Sequence, residues 1–261
     1  MEKAIVSRLQ IFPFKSLDGI EMQEVKIVSG ACLQHDRSYA IVDETGRYIN
    51  GKNNADIYSL RSTFDLKNDS IHLRKEGTNE QFSFHLTHEI HELETWLSAY
   101  FGKKVYVIND PTGRFLDIPD DAGATLVSTA SLQAVAGWFE GLSTNETRKR
   151  FRASIEIKGV PAFWEDKLFA EPDTVVQFKI GNVDLEGVYP RERCSVPPHN
   201  PINGEVSRFF QKTFAQQREA HLPLNSKLSM YGHFYHFAVD CRFNASSIGK
   251  IIRVEDEITI S

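Results

Sequence analysis

The sequence predicts a mainly β protein with several helices, because short strand-like runs dominate both halves of the chain. Three observations support this prediction: apolar runs bounded by turn residues, amphipathic stretches with helical spacing, and a polar, turn-rich segment near the middle. The chain has 261 residues, 41% of them hydrophobic and 25% charged. That is enough to bury the core of one large domain or of two ordinary ones.

The first half is predicted to form a sheet or barrel of short strands. Gly46 and Asn68 mark two hairpin turns, since both residue types tolerate positive φ. A helix is expected before the last strand, with Thr87 as its N-cap, Leu93 on its apolar face and Gly102 at its end. The predicted strands cover residues 4–12, 24–28, 38–42, 57–66, 70–74, 81–86 and 105–108.

Residues 109–123 are polar and rich in turn-forming residues, which predicts a boundary between two domains, 1–118 and 119–261. In the second domain, a helix is expected to begin at Ser128 and Thr129, directly after a strand. Another helix is predicted over residues that include Val206 and Phe209 on its apolar face. The predicted strands of this half cover residues 125–127, 154–157, 175–180, 183–188, 233–239 and 250–254.

Composition excludes several classes of protein. The formal net charge of −5 and the pI near 6.0 provide no overall positive field, so neither nucleic acid nor an anionic membrane surface is expected as a partner. No run of about 18 apolar residues and no export signal is visible. Cys32, Cys194 and Cys241 are too scattered for a disulfide framework, a zinc site or an iron–sulfur motif. Free thiols in a reducing compartment, the cytoplasm, are therefore expected.

Two segments of the first half contain side chains suited to phosphate. Lys15 and Ser16 follow a strand end that is broken by proline, where an ammonium and a hydroxyl can bind phosphate oxygens. The alternative for such a lysine is an ordinary surface loop. Arg37 lies between two predicted strands, and its guanidinium can pair either with a phosphate or with the neighbouring Asp36.

Two segments of the second half could complete such a site. The Ser-Thr-Ala-Ser sequence at 128–131 begins a helix, whose free N–H groups and positive dipole end suit an anion, although plain helix capping explains it equally well. The Arg-Glu-Arg-Cys sequence ends at Cys194, and flanking guanidinium groups favour the thiolate that a soft metal requires. A small buried apolar residue is the alternative role for a lone cysteine.

The histidine pairs do not form a metal motif. His88 and His91 are three residues apart, whereas the zinc-protease helix needs a spacing of four. His233 and His236 are expected to lie on opposite faces of a strand, where they could not easily share a metal.

In order and spacing, the four segments resemble the MOSC domain and the β-barrel domain that precedes it in the mitochondrial amidoxime-reducing component and related bacterial proteins. The resemblance spans nearly the whole chain. The family's segments read here Phe12-Pro-Phe-Lys-Ser16, Asp36-Arg37, Ser128-Thr-Ala-Ser131, Arg152-Ala-Ser154 and Arg193-Cys194.

The resemblance implies an α+β fold in which an N-terminal β-rich, barrel-like domain packs on a C-terminal MOSC β-barrel. It also implies that the chain binds molybdenum cofactor (molybdopterin), with Cys194 as the metal ligand at the catalytic centre. The cofactor-binding residues carried over by the resemblance are Lys15, Ser16, Arg37, Ser128, Thr129, Arg152, Ser154 and Arg193.

The sequence departs from the family pattern at several points. Ala153 and Ser154 follow Arg152 where the family usually has Pro-Asn, so the Ser154 hydroxyl would replace one contact. Glu192 places a negative charge beside a site that should hold an anion. Asn200 stands where the loop after the cysteine usually has an acid.

The implied activity is the reduction of small N-hydroxylated molecules. Electrons would come from a separate reductase of the flavoprotein, ferredoxin or cytochrome type, because the chain contains no electron-transfer motif of its own. Two alternatives remain open. One is a sulfur-carrier or cofactor-handling module in which Cys194 bears a persulfide, and the other is a non-catalytic protein that has lost the cofactor, as Glu192 and the altered residues 152–154 suggest.

Overall fold

The computed structural model describes residues 3–113, 115–118, 123–224 and 226–260. The α-helices of these residues are α1 (Ile90–Phe101), α2 (Thr129–Gly137), α3 (Thr144–Phe151) and α4 (Phe210–Ala220). The strands are β1 (Ile5–Ile11), β2 (Ile20–Met22), β3 (Glu24–Lys26), β4 (Tyr39–Asp43), β5 (Leu60–Asp65), β6 (Ser70–Lys75), β7 (Phe82–His85), β8 (Val105–Asn109), β9 (Ala124–Ser128), β10 (Ile155–Lys158), β11 (Val176–Ile180), β12 (Val183–Glu192), β13 (His236–Phe243), β14 (Ile251–Arg253) and β15 (Ile258–Ile260).

The largest unit is an eight-stranded sheet with the order β15-β11-β12-β13-β9-β10-β1-β2. Its strands pair antiparallel except for β9 and β10, which run parallel with α2 and α3 between them. The sheet curves until its two sides meet. Ile258 donates its N–H to the Ala4 carbonyl and Val6 to the Asp256 carbonyl, each at 2.9 Å. The predicted mainly β fold with several helices is therefore confirmed, with a barrel-like main sheet.

A second, smaller core lies under α1. Here β4 pairs with β8, and β5, β6 and β7 form a three-stranded antiparallel sheet. Leu93, Leu97 and Phe101 of α1 are buried against these strands, and Gly102 ends the helix in the left-handed conformation, as predicted. The predicted N-cap was wrong, because Glu89 rather than Thr87 directly precedes the helix.

The main sheet crosses the predicted domain boundary, since β1 and β2 come from the first 118 residues but pair inside the sheet of the second half. Leu9 of β1 is opposite Ile155 of β10, and β3 pairs with β14 near the other end of the chain. The end of β1 therefore lies beside segments from both halves. Residues 119–122, where the second domain was predicted to begin, lie outside the described residues.

The structure differs from the sequence prediction in several elements. Residues 55–59 form a 3-10 helix where the prediction extended a strand, and α3 was not anticipated because its sequence is strongly polar. The fourth helix begins only at Phe210, so Val206 and Phe209 are not on its buried face and remain 56% and 75% exposed. Within the described residues, no helix combines the length and apolar character that spanning a membrane requires.

Candidate functional site

A cleft of about 410 Å³ opens where the end of β1, the 3-10 helix at 55–59, the loop at 115–118 and the end of β12 meet. This volume is typical of small-molecule sites. Nine cationic but only four acidic side chains line it, although the whole chain has a net charge of −5. Among the lining residues are seven that the sequence singled out: Lys15, Ser16, Arg37, Arg152, Ser154, Arg193 and Cys194.

Three of these residues have left-handed backbone, which is uncommon outside glycine. Their φ angles are 74° at Ser16, 48° at Arg37 and 53° at Arg152. Arg152 is the clearest case, because it occupies the C-terminal cap of α3, where glycine is the usual residue. Backbone of this kind costs about 1 kcal/mol or more per residue and concentrates at functional sites.

Two arginines share the floor of the cleft. Their guanidinium carbons lie over the Phe12 ring, at 4.3 Å for Arg37 and 4.0 Å for Arg152. Burial, together with repulsion from Arg37, lowers the pKa of Arg152 to about 9. Nη2 of Arg152 is buried and makes no hydrogen bond to the described residues. An anion in the cleft would supply the missing partner.

Arg37 makes the ion pair with Asp36 that was one of its two predicted roles, and its side chain also lines the cleft. Its Nη1 lies 2.5 Å from the Asp36 carboxylate and donates to the Ser154 hydroxyl at 3.2 Å, while Nη2 donates to the Arg152 carbonyl. The Asp36 carboxylate also accepts the N–H of Phe12 at 2.7 Å. The ion pair therefore fixes Arg37 between the first half of the chain and the start of β10.

Lys15 and Arg191 meet at a carboxylate. Nζ of Lys15 lies 2.5 Å from one oxygen of Asp117, and Nη2 of Arg191 lies 3.0 Å from the other. Burial opposes ionisation of Asp117, but Lys15, Arg191 and Arg37 lower its pKa well below the ordinary range. Asp117 therefore neutralises part of the positive charge that Lys15 and Arg191 bring to the cleft.

Arg191 is also paired with Asp240, whose side chain is fully buried in β13, at 3.1 Å. Burial raises the pKa of Asp240 to about 6, although Arg191 and Arg193 oppose the increase. Neither Asp117 nor Asp240 was predicted as a site residue. A lone acid inside the apolar run of β13 was a signal in the sequence, whereas nothing local identified Asp117.

Cys194 differs from the other two cysteines in its accessibility. It is exposed and lines the cleft, whereas Cys32 and Cys241 are buried. Burial, with Asp36 nearby, raises the pKa of Cys32 to about 12, and burial raises that of Cys241 well above the ordinary value. Cys194 is therefore the one of the three thiols placed to bind a metal or a reactive sulfur atom.

Arg193 precedes the cysteine and points the other way, into the protein. Its Nε donates to the Phe237 carbonyl at 2.9 Å, and its guanidinium carbon lies 5.3 Å from the centre of the Phe151 ring. Burial and the charge of Arg191 lower its pKa to about 10. Nη2 of Arg193, like that of Arg152, is buried without a hydrogen-bond partner among the described residues.

The helix start at Ser128 and Thr129 does not line the cleft. Both residues lie at the carboxyl end of β9, whereas Ala124 and Thr125 at its amino end line the cleft. Ser128 is fully buried and caps α2 by accepting the Ser131 N–H at 3.0 Å. The structure thus favours the capping interpretation of this segment over the anion-binding one.

Carboxylates of the protein itself already lie at that helix start. Thr129 donates to Glu156 at 2.7 Å, and Arg148 holds the same carboxylate through two bonds of 2.6 and 2.8 Å. Glu165 is also buried near this helix start. Burial and the charge of Asp166 raise the pKa of its carboxyl group, while Ser131 and the Ser128 backbone act to lower it.

Two departures from the family pattern have a structural explanation. The Oδ1 atom of Asn200 accepts the N–H groups of Ile202 and Asn203, at 2.8 and 3.4 Å, so an amide oxygen closes the turn without an acid. Glu192 contacts His233, with Oε1 and Nε2 3.1 Å apart, rather than a cleft arginine.

The prediction that His233 and His236 lie on opposite faces of a strand was wrong. The strand β13 begins only at His236, and a bend at residues 232–234 brings the two rings to 4.7 Å. Even so, no group of three or more histidine, cysteine or acidic side chains in the described part of the chain is arranged to hold a metal ion. A metal here would need ligands from a cofactor in addition to Cys194.

The charge and chemistry of the cleft fit molybdenum cofactor. The buried Nη2 of Arg152, which has no partner among the described residues, suits its phosphate, and the exposed thiol of Cys194 suits its metal. Comparison with protein families agrees with this assignment. The model of the MOSC N-terminal beta barrel domain matches residues 3–116, and the model of the MOSC domain matches residues 116–259.

Proposed function

Because the chain belongs to the MOSC family, whose domains are associated with molybdenum-cofactor-binding proteins, we propose that it is a cofactor-dependent reductase of N-hydroxylated molecules. The observation that carries the proposal is the unpartnered, buried Nη2 of Arg152 in the cleft that the accessible Cys194 also lines.

Lys15, Ser16, Arg37, Arg152 and Ser154 would hold the cofactor phosphate, and Cys194 would bind the metal. Of these, Arg37 and Arg152 are held before binding by their contacts with the Phe12 ring, and Arg37 also donates to the Arg152 carbonyl. Side chains held in this way lose little conformational entropy when an anion binds, and this strengthens binding. For phosphate to bind Lys15 and Arg191, the ion pairs of these residues with Asp117 must break.

Bound cofactor would supply the two-electron chemistry that breaks the N–O bond. Overall, R–NHOH takes up two electrons and two protons and gives R–NH2 and water. The protein binds and orients the substrate beside Cys194, and its cleft limits access of water. The electrons would come from a separate reductase of the flavoprotein, ferredoxin or cytochrome type, since the sequence contains no electron-transfer motif.

The proposal is tested with protein produced in a host that makes molybdenum cofactor. Reduced methyl viologen serves as the electron donor and hydroxylamine as the substrate, and ammonia formation is measured. We expect turnover by the wild type and none by Cys194→Ala, with the buried-cysteine variant Cys241→Ala as the matched control. Wild-type protein that contains molybdenum but forms no ammonia would contradict the proposed activity.

The accessible thiol also favours a second candidate, a sulfur carrier. An exposed Cys194 in a positively charged cleft is equally suited to bear a persulfide, whose anion the nearby guanidinium groups would stabilise. A persulfide detected on Cys194 by mass spectrometry, in protein that lacks hydroxylamine turnover, would support the carrier over the reductase.

A further inference from the structure

One wall of the cleft is an aromatic pair assembled from both halves of the chain. His199, from the loop after Cys194, and Tyr58, from the 3-10 helix at 55–59, both line the cleft. Their rings stack with centroids 5.1 Å apart and planes inclined by 9°. Cys194 is near enough to contribute to the pKa of Tyr58, which burial raises to about 12. Both rings therefore line the same cleft as the proposed metal ligand.

Hydrogen bonds to the main chain hold both rings in place. The Tyr58 hydroxyl donates to the Gly51 carbonyl at 2.9 Å, and Nδ1 of His199 lies 3.2 Å from the Val196 carbonyl. Arg61 joins the two halves, because its Nη2 donates to the carbonyl of Tyr58 and, at 3.2 Å, to that of Pro201.

Close packing fixes the loop against the tyrosine as well. Gly204 has a φ of 74°, and a Cβ atom at this position would lie 2.8 Å from the Tyr58 ring. From the other side, Nη1 of Arg150 donates to the Pro197 carbonyl at 2.8 Å. These contacts hold the loop that contains His199 against Tyr58 and Arg150.

The hydrogen bond of His199 decides which of its nitrogens is reactive. A carbonyl oxygen only accepts hydrogen bonds, so Nδ1 carries its hydrogen, and Nε2 is the nitrogen that gains and loses a proton. Among the described residues that line the cleft, His199 is the one histidine. Imidazole is also the side chain best suited to transfer protons near neutral pH.

We propose that Nε2 of His199 hydrogen-bonds the substrate's N–O group and supplies one of the two protons consumed in the reduction. This inference rests on the proposed function. As the N–O bond breaks, the nitrogen gains the proton of His199, and the hydroxyl combines with a second proton from solvent to leave as water. The bound cofactor would supply the electron pair, which originates from the external donor, and solvent then reprotonates Nε2.

Several charged or titratable groups lie around the loop that contains this histidine. Tyr58 and Arg61 approach from the first half of the chain, Arg150 approaches from α3, and Cys194 lies earlier in the same loop. The Arg61 charge is itself balanced by Asp18 and Glu76, at 3.2 and 3.3 Å.

The test compares His199→Phe with the wild type in the hydroxylamine assay between pH 5.5 and 8.5. Phenylalanine keeps a flat ring against Tyr58 but removes both nitrogens. We expect kcat to fall about 100-fold, as for loss of a general acid, and the pH dependence due to His199 to disappear. Molybdenum content and the thermal unfolding midpoint should stay at the wild-type level. His91→Gln, an exposed histidine of α1, is the matched control.

Further variants separate a chemical role from a structural one. His199→Ala leaves space for a small proton donor. Added imidazole should therefore restore part of the rate of His199→Ala, but it should not raise the rate of His199→Phe. If His199→Phe fails to fold, His199→Gln, which keeps hydrogen bonding but does not titrate, should show the same lost pH dependence. If molybdenum-loaded His199→Phe keeps full kcat and the wild-type pH profile, the role of His199 is wrong while the proposed function stands. If the molybdenum-loaded wild type is inactive, both the proposed function and the role of His199 are wrong.

Discussion

The cleft and the start of α2 contain similar chemistry but use it differently. Both combine hydroxyl groups with a positive electrostatic environment, and both were plausible anion sites from sequence. In the cleft, Nη2 of Arg152 is buried without a partner. At the helix start, Ser128 caps the helix and Thr129 contacts Glu156. The two regions therefore differ in whether a buried donor is left without a partner among the described residues.

The two regions also differ in backbone conformation. Ser128 has a φ of −86° and a ψ of 148°, as an ordinary N-cap does. Arg152 instead occupies a left-handed position that would suit glycine better. The unfavourable backbone at Arg152 is compatible with a side chain kept for binding, while Ser128 is explained by stability alone.

Among the variants that distinguish the cleft from the start of α2, Arg152→Gly is expected to have the largest effect. Loss of charge-assisted hydrogen bonds worth about 1.5–3 kcal/mol should reduce cofactor affinity roughly 10- to 100-fold. Glycine relieves the left-handed backbone, so the free energy of unfolding should fall by no more than about 1 kcal/mol. Pterin content and urea denaturation measure the two quantities. Arg148→Gln, which alters an arginine paired with Glu156, should keep its cofactor.

Ser128→Ala should show the opposite behaviour. Removing an N-cap costs about 1 kcal/mol of helix stability, so the free energy of unfolding should decrease by roughly that amount. Molybdenum content per folded chain should not change, since Ser128 does not line the cleft. Loss of cofactor from a variant of unchanged stability would restore this helix start as part of the binding site.

The smallest expected effect is a pH dependence caused by Asp240. Its pKa is raised by burial to about 6, so it takes up a proton as the pH falls through 6 and stops neutralising Arg191. The cleft then gains positive charge, and the affinity for sulfate should rise a few-fold between pH 7.5 and 5.5 at constant ionic strength. Calorimetry should find a smaller rise for Asp240→Asn, and an equal rise would assign the effect to other groups.

Local sequence patterns predicted most of the fold. Alternating apolar residues located β1 and β6, and Gly102 located the end of α1, because these features depend on neighbours along the chain. The polar helix α3 was missed, since few of its residues are apolar. The start of α4 was misplaced because Phe209 is apolar yet exposed, which hydrophobic spacing alone does not reveal.

The site was predictable only in part, because several of its contacts join residues that are far apart in the chain. Lys15, Arg37 and Arg152 were identified by resemblance, and the structure brings all three to one cleft. Asp117 contributes through contacts across 102 residues of chain with Lys15, and no local pattern marks such a pair. The stack of Tyr58 on His199 likewise depends on how two distant segments pack.

The most direct test of the central claim is the molybdenum content of wild type, Cys194→Ala and Cys241→Ala, produced in the same cofactor-making host and measured by elemental analysis. We expect about one molybdenum per chain in the wild type and in Cys241→Ala, because that thiol is buried away from the cleft. Cys194→Ala should contain little or none. Equal molybdenum in Cys194→Ala and the wild type would contradict the assignment of Cys194 as the metal ligand.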